Sequence, residues 1–155
     1  MSFRIQGLSR QSFKRLIGQP EEVLLRQGAR RQLADSCPAY PDRITLDDVP
    51  LGEPVLLLNH EHQSADTPFR ASHAIFVWEH APATWNRVDE IPPAIARRLI
   101  SLRAFDAGHM MIDADIAPGD ALPSLIERLF ANSQVAYLHA HYAKWGCYAA
   151  RVDRA

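Results

Sequence analysis

A chain of 155 residues, 47% hydrophobic and 23% charged, is long enough and apolar enough to bury one core without disulfides or a structural metal. Seventeen basic against 18 acidic residues give a formal charge of −1, and no RNA-binding aromatic signature or helix-turn-helix pattern is present, which sets nucleic acid aside as a partner. Two cysteines, no apolar run of membrane length and a charged opening, MSFRIQGLSRQSFKRLIG, make a cytoplasmic protein without a membrane partner the expectation.

In chain order, SFRIQGL opens as a short strand. Ser9 suits the cap of a first helix with Phe13, Leu16 and Ile17 on one face and Gly18 as its stop. Pro20 fits the first turn of a second helix, Glu21 and Glu22 its positive end, and Gly28 its stop. The basic residues cluster here: residues 1–31 hold seven, against two acids, which reads as a solvated helical surface. Strands are expected over Arg31–Ala34 and Arg43–Leu46, either side of the proline-constrained turn CPAYP. Val55–Glu61 and His73–Glu79 are the next strands, separated by the loop SADTPF, and FVWEH offers apolar surface to a partner. The segment from Ala81 to Pro93, rich in proline, reads as surface loop.

Leu99–Asp106 and His109–Ile116 form a hairpin about DAGH. The clearest helix is GDALPSLIERLFAN, whose Leu122, Leu125, Ile126, Leu129 and Phe130 recur at three and four residues, with Asp120 as N-cap and Asn132 as stop. A last hairpin joins Val135–His141 to Cys147–Val152 through AKWG. An even turn there opposes His141 to Tyr148 and His139 to Ala150, and sets Cys147 on the face away from the histidines. The whole predicts one α+β domain over residues 1–155, with a mainly antiparallel sheet of about five to seven strands and three principal helices.

The chemistry concentrates in two stretches. In VLLLNHEHQ, apolar residues on both faces predict a covered central strand whose polar end, Asn59 to Gln63, leaves the core at a crevice. In VAYLHAHYAKWGCY, His139 and His141 share a strand face, as His60 and His62 do in the first stretch. Arg70 follows the loop after the central strand, and Arg103 interrupts an apolar strand, so each needs a carboxylate such as Glu61 or Asp106, or an anionic ligand. Cys147 reads as a small buried hydrophobe rather than a nucleophile. No phosphate loop, nucleophile elbow, dinucleotide fingerprint or helical His-Glu zinc motif is present.

Together YPDRITL, LLLNHEHQSADTPFRASHAIFV, SLRAFDAGHMMIDADI and VAYLHAHYAKWGCYAARV resemble an uncharacterised bacterial family, that of domain of unknown function 1203. The resemblance covers nearly the whole chain and implies a small stand-alone bacterial protein, with no established activity or cofactor. Two positions depart from the family pattern: His60 stands where an aromatic residue is frequent, and Asp42 where a cysteine is expected.

Three functions are consistent with these residues. The first is binding of, or action on, a small polar or anionic molecule by Glu61, His62, Arg70, Arg103, His139 and His141, the arginines neutralising the ligand and a histidine moving protons. The second is a structural or protein-interaction module, a homodimer without catalytic activity, whose three tryptophans supply apolar surface. The third is a metal protein with histidine ligands from both stretches, which requires the two strands to be neighbours. No catalytic residue, cofactor or individual metal ligand is assigned at this level.

Overall fold

Alternation along the chain becomes two antiparallel sheets in the computed structural model, which describes all of residues 1–155. The strands are β1 (Phe3–Gln6), β2 (Arg30–Leu33), β3 (Pro54–Gln63), β4 (Ala71–Trp78), β5 (Asn86–Val88), β6 (Leu99–Phe105), β7 (Met111–Pro118), β8 (Tyr137–Tyr142) and β9 (Tyr148–Arg154). The larger sheet has the order β5-β1-β9-β8-β6-β7, and the smaller β2-β3-β4. Three α-helices, α1 (Glu21–Arg26), α2 (Pro93–Ala96) and α3 (Leu122–Phe130), complete an α+β fold. The six strands of the larger sheet fall within the five to seven expected of one sheet, and the other three form a second sheet that was not expected.

Helix α3 behaves as its periodicity dictates. All five residues of its apolar stripe are buried, against Leu102 and Ala104 of β6, Leu138 and Ala140 of β8 and Val152 of β9. Since side chains alternate on a strand, Arg103, His139 and His141 then occupy the opposite face of the large sheet. A second core joins Leu56 and Leu58 of β3 and Ile75 and Val77 of β4 to Phe13, Leu16 and Leu24. β3 is the middle strand of its sheet, as its apolar residues on both faces predict.

Several local expectations are corrected. The first helix is a 3-10 turn over Arg10–Phe13, although Ser9 Oγ does accept from the Gln11 N–H at 3.2 Å. Arg43–Leu46 is not a strand. The Asp42 carboxylate accepts from the Thr45 N–H at 2.6 Å, its hydroxyl at 2.8 Å and the Trp78 N–H at 2.8 Å, so the backbone closes into turns. The loop expected from Ala81 to Pro93 contains β5, which pairs with β1. Asp120 does not cap α3: a 3-10 turn over Gly119–Ala121 leads into the helix, and no side chain accepts from its first N–H groups.

FVWEH is not an exposed patch either. Val77 is fully buried, the Trp78 indole donates to Glu53 at 3.1 Å, and the buried Glu79 receives Arg31 at 2.6 and 2.7 Å. Burial pushes the Glu79 carboxyl up, but Arg31 and the Gly18 N–H outweigh it and hold it below its ordinary value. Of the tryptophans, Trp145 is the one that stands free, 78% exposed.

Candidate functional site

Each half of the site follows from a strand period of two. His60 and His62 lie on one side of the outgoing end of β3, and Tyr137, His139 and His141 line one side of β8. Packing of the small sheet over this face of the large one brings His62 to the β8 pair. Its ring centroid is 4.8 Å from that of His141 and 6.2 Å from that of His139, nearly perpendicular to both. One ring nitrogen from each of His62, His139 and His141 lies within 4.8 Å of the others. His60 stays outside this group, with its ring 5.9 Å from Tyr148 and 6.4 Å from Phe13.

The hydrogen bonding of the three imidazoles is incomplete in a specific way. His141 Nδ1 lies 3.0 Å from the Gly146 carbonyl oxygen. A carbonyl only accepts, so Nδ1 carries the proton and Nε2 is a bare lone pair. That Nε2 is buried and has no partner, and the same is true of Nδ1 in His62 and in His139. Leaving such atoms unmatched costs free energy, typically ~1–3 kcal/mol each, so three in one place call for an explanation.

The group is neutral at ordinary pH. Burial lowers the His139 and His141 pKa values to about 3, and mutual repulsion with His62 and with Arg103 pushes the same way. His62 falls to about 4, first through burial and then through His60, Arg103 and His73. Neutral imidazole is the form that coordinates a metal.

Around the three rings stands a wall of aromatic and cationic residues. Tyr148 lies parallel to His62 at 5.4 Å and edge-on to His139 and His141 at 5.2 and 5.8 Å. Phe105 packs 5.0 Å from His139 and stacks on Tyr137, whose hydroxyl holds Gln63 Nε2 at 2.9 Å and His109 Nδ1 at 2.8 Å. Arg103 sits opposite His139 on the neighbouring strand. It is half-buried and forms no ion pair; its Nε lies 3.5 Å from Ser101 Oγ, and burial lowers its pKa. Arg151, in contrast, is held at 2.8–2.9 Å by Asp153 and lies 4.0 Å above the Tyr137 ring.

Of the six sequence candidates, the fold therefore gathers four. His62, Arg103, His139 and His141 converge, while Glu61 and Arg70 pair with each other at 3.2 Å on the exposed side. The four-residue turn is present: the Tyr142 N–H donates to the Cys147 carbonyl at 2.9 Å, and His141 opposes Tyr148. A bulge then shifts the register, so that His139 opposes Arg151 in place of Ala150. Sequence reasoning missed Arg151 for this reason, since an extra residue in a ladder leaves no periodic trace. It also missed Phe105, which looks like an ordinary strand aromatic until the sheet order places it beside the histidines. The strand period already sets Tyr137 on their face and leaves only its bonds to Gln63 and His109 to the tertiary structure.

The family description "Protein of unknown function (DUF1203)" matches residues 39–154, which include every residue of this group. A comparison with curated proteins finds no match, nor does one with solved structures. Spanning both histidine stretches and most of the chain, that match makes the protein a member of the DUF1203 family.

Proposed function

We propose that His62, His139 and His141 hold a divalent transition metal, zinc foremost, and that Arg103 docks an anionic group against it. The observation that carries this reading is a set of three neutral imidazoles, each with one buried, unpartnered ring nitrogen, that also bring one ring nitrogen apiece within 4.8 Å of the others. His141 adds a feature typical of metal-bound histidine: its other nitrogen donates to a backbone carbonyl, which fixes the tautomer and leaves the Nε2 lone pair free to bind an ion. Bonds of about 2.1 Å in tetrahedral geometry need ligand nitrogens ~3.4 Å apart, so the rings draw inward by ~1 Å or a little more on binding.

Three neutral ligands leave the charge of the ion uncompensated and one coordination position open. The Glu61 carboxylate is committed to Arg70 and that of Asp153 to Arg151, while Arg103 has no ion-pair partner. An anion at the open position answers both deficits.

The test begins with chelator-treated protein. Calorimetric titration with zinc should show one ion per chain, and cobalt should give the visible absorption of a nitrogen-rich tetrahedral site. His139→Ala and His141→Ala should weaken zinc binding by ~100-fold or more, because each removes one of three ligands, whereas His60→Phe should leave it within a few-fold. Inorganic phosphate or azide should perturb the cobalt spectrum of the wild type, and much less that of Arg103→Met. Zinc binding by folded His139→Ala and His141→Ala that equals the wild type sinks the proposal.

A further inference from the structure

A second site stands apart from the three histidines. A cavity of about 1100 Å³ opens between the small sheet, the start of β6, β7 and the β8–β9 turn. Its walls are largely apolar, with Leu57, Phe76, Leu99, Ile116, Tyr142 and Trp145 among them, yet its four charged residues are all cations: Arg43, Arg97, Arg98 and Lys144. Arg97 and Arg98 are answered by Asp47 and Asp48 at 2.5–2.9 Å. Arg43 and Lys144 are in no ion pair with a carboxylate.

Arg43 is the unusual one. It is 1% exposed, the largest of the fully buried side chains, and a buried guanidinium ordinarily requires a carboxylate. Here Nε donates to the Tyr148 carbonyl at 2.6 Å, Nη1 donates to the Pro41 carbonyl, and Cζ lies 4.8 Å from the Tyr142 ring centre. Carbonyls and a ring face orient this charge without neutralising it. Trp145 stands at the cavity with 78% of its surface exposed, and Leu99 and Ile116 are exposed at 49% and 53%. An apolar cavity of this size, whose two charges without a carboxylate partner are both cations, has the form of a site for an amphiphile with one negative end.

We infer that this cavity binds a carboxylate with an extended apolar body, of the medium-chain fatty-acid class. The tail occupies the Leu57, Phe76 and Ile116 walls, and the head lies against the field of Arg43 and Lys144. This site shares no lining residue with the three histidines, so it holds or fails apart from the metal proposal.

Dodecanoate and dodecanol, each below its aggregation threshold, are the probes. They carry the same tail and differ in the charge of the head. Titration followed by calorimetry and by the fluorescence of Trp145, with Trp145→Phe as control, should give dodecanoate at least ~10-fold tighter than dodecanol, about 1.4 kcal/mol. Lys144→Glu, at an exposed position that leaves the fold intact, should erase most of that difference and spare dodecanol. Leu99→Asp should weaken both. Equal binding of the two probes, or no effect of Lys144→Glu on their ratio, would overturn the assignment. So would a dimer in sedimentation velocity that Trp145→Ala dissolves while dodecanoate fails to bind, since a second copy would then cover this face.

Discussion

His139 and Cys147 lie eight positions apart and close the same hairpin, but their surroundings assign them different tasks. His139 is 4% exposed among rings with an unmatched nitrogen, whereas Cys147 packs beside the α3 core. Cys147→Ala is therefore expected to cost about 1 kcal/mol of stability and to leave zinc affinity unchanged within twofold. Loss of zinc binding in folded Cys147→Ala would move the thiol into the site. Ion pairs separate in the same manner. Arg70→Ala removes an exposed pair with Glu61 and should cost under ~1 kcal/mol in urea denaturation. Glu79→Gln breaks a pair whose carboxylate is only 5% exposed, also bonded to the Gly18 N–H, and should cost ~2–3 kcal/mol. Equal losses for the two variants would mean that burial is not what distinguishes them.

At the level of elements, the junction between β7 and α3 is the most constrained. Gly119 lies against the end of α2, where an added Cβ would come 2.1 Å from the Ile95 carbonyl oxygen and 2.6 Å from Ala96 Cα. Both neighbours are backbone and cannot swing aside, so Gly119→Ala should destabilise by ~1–3 kcal/mol or more. Gly108→Ala, which meets only the Asp106 side chain at 3.3 Å, is the comparison and should cost less. On α3 itself, Ile126→Ala should cost ~2–5 kcal/mol, since the side chain is wholly buried and its cavity cannot collapse onto a rigid sheet. The β8–β9 turn serves the site more directly. Gly146 has a φ of 80°, a region glycine enters without penalty, and its carbonyl is the one that accepts from His141. Gly146→Ala should weaken zinc binding as well as stability, with the two losses measured by titration and by thermal melting.

For the molecule as a whole, the buried histidines set a pH dependence. In the unfolded chain they titrate near 6.5, and in the folded protein at about 4 for His62 and about 3 for His139 and His141. Between those values the unfolded chain binds more protons than the folded one, so their contribution to stability is intact above pH ~6.5 and falls progressively toward pH ~3. Metal-free protein in chelator should accordingly show a Tm that declines from pH 7 to pH 4. His62→Gln and His139→Gln should flatten that decline, because glutamine removes the titration and keeps a polar side chain. A slope unchanged by both substitutions would assign acid sensitivity to the carboxylates instead.

What was legible from the sequence was local. Periods of two and of three to four residues determined the strands, the α3 stripe, the facing of His139 with His141 and the placement of Tyr148 beside them, because these follow from backbone geometry alone. Turns ruled by side-chain bonds, as at Asp42, were misread as strand because such bonds compete with the ladder without altering the apolar pattern. The bulge that brings Arg151 opposite His139 was hidden for a related reason: it breaks the period instead of repeating it. That His62 meets His141, 79 positions away, and that Arg103 is left without a carboxylate while Arg70 finds Glu61, was decided by the tertiary structure. Contact across two sheets depends on how whole faces pack, and no periodicity within either strand encodes which face the other will meet.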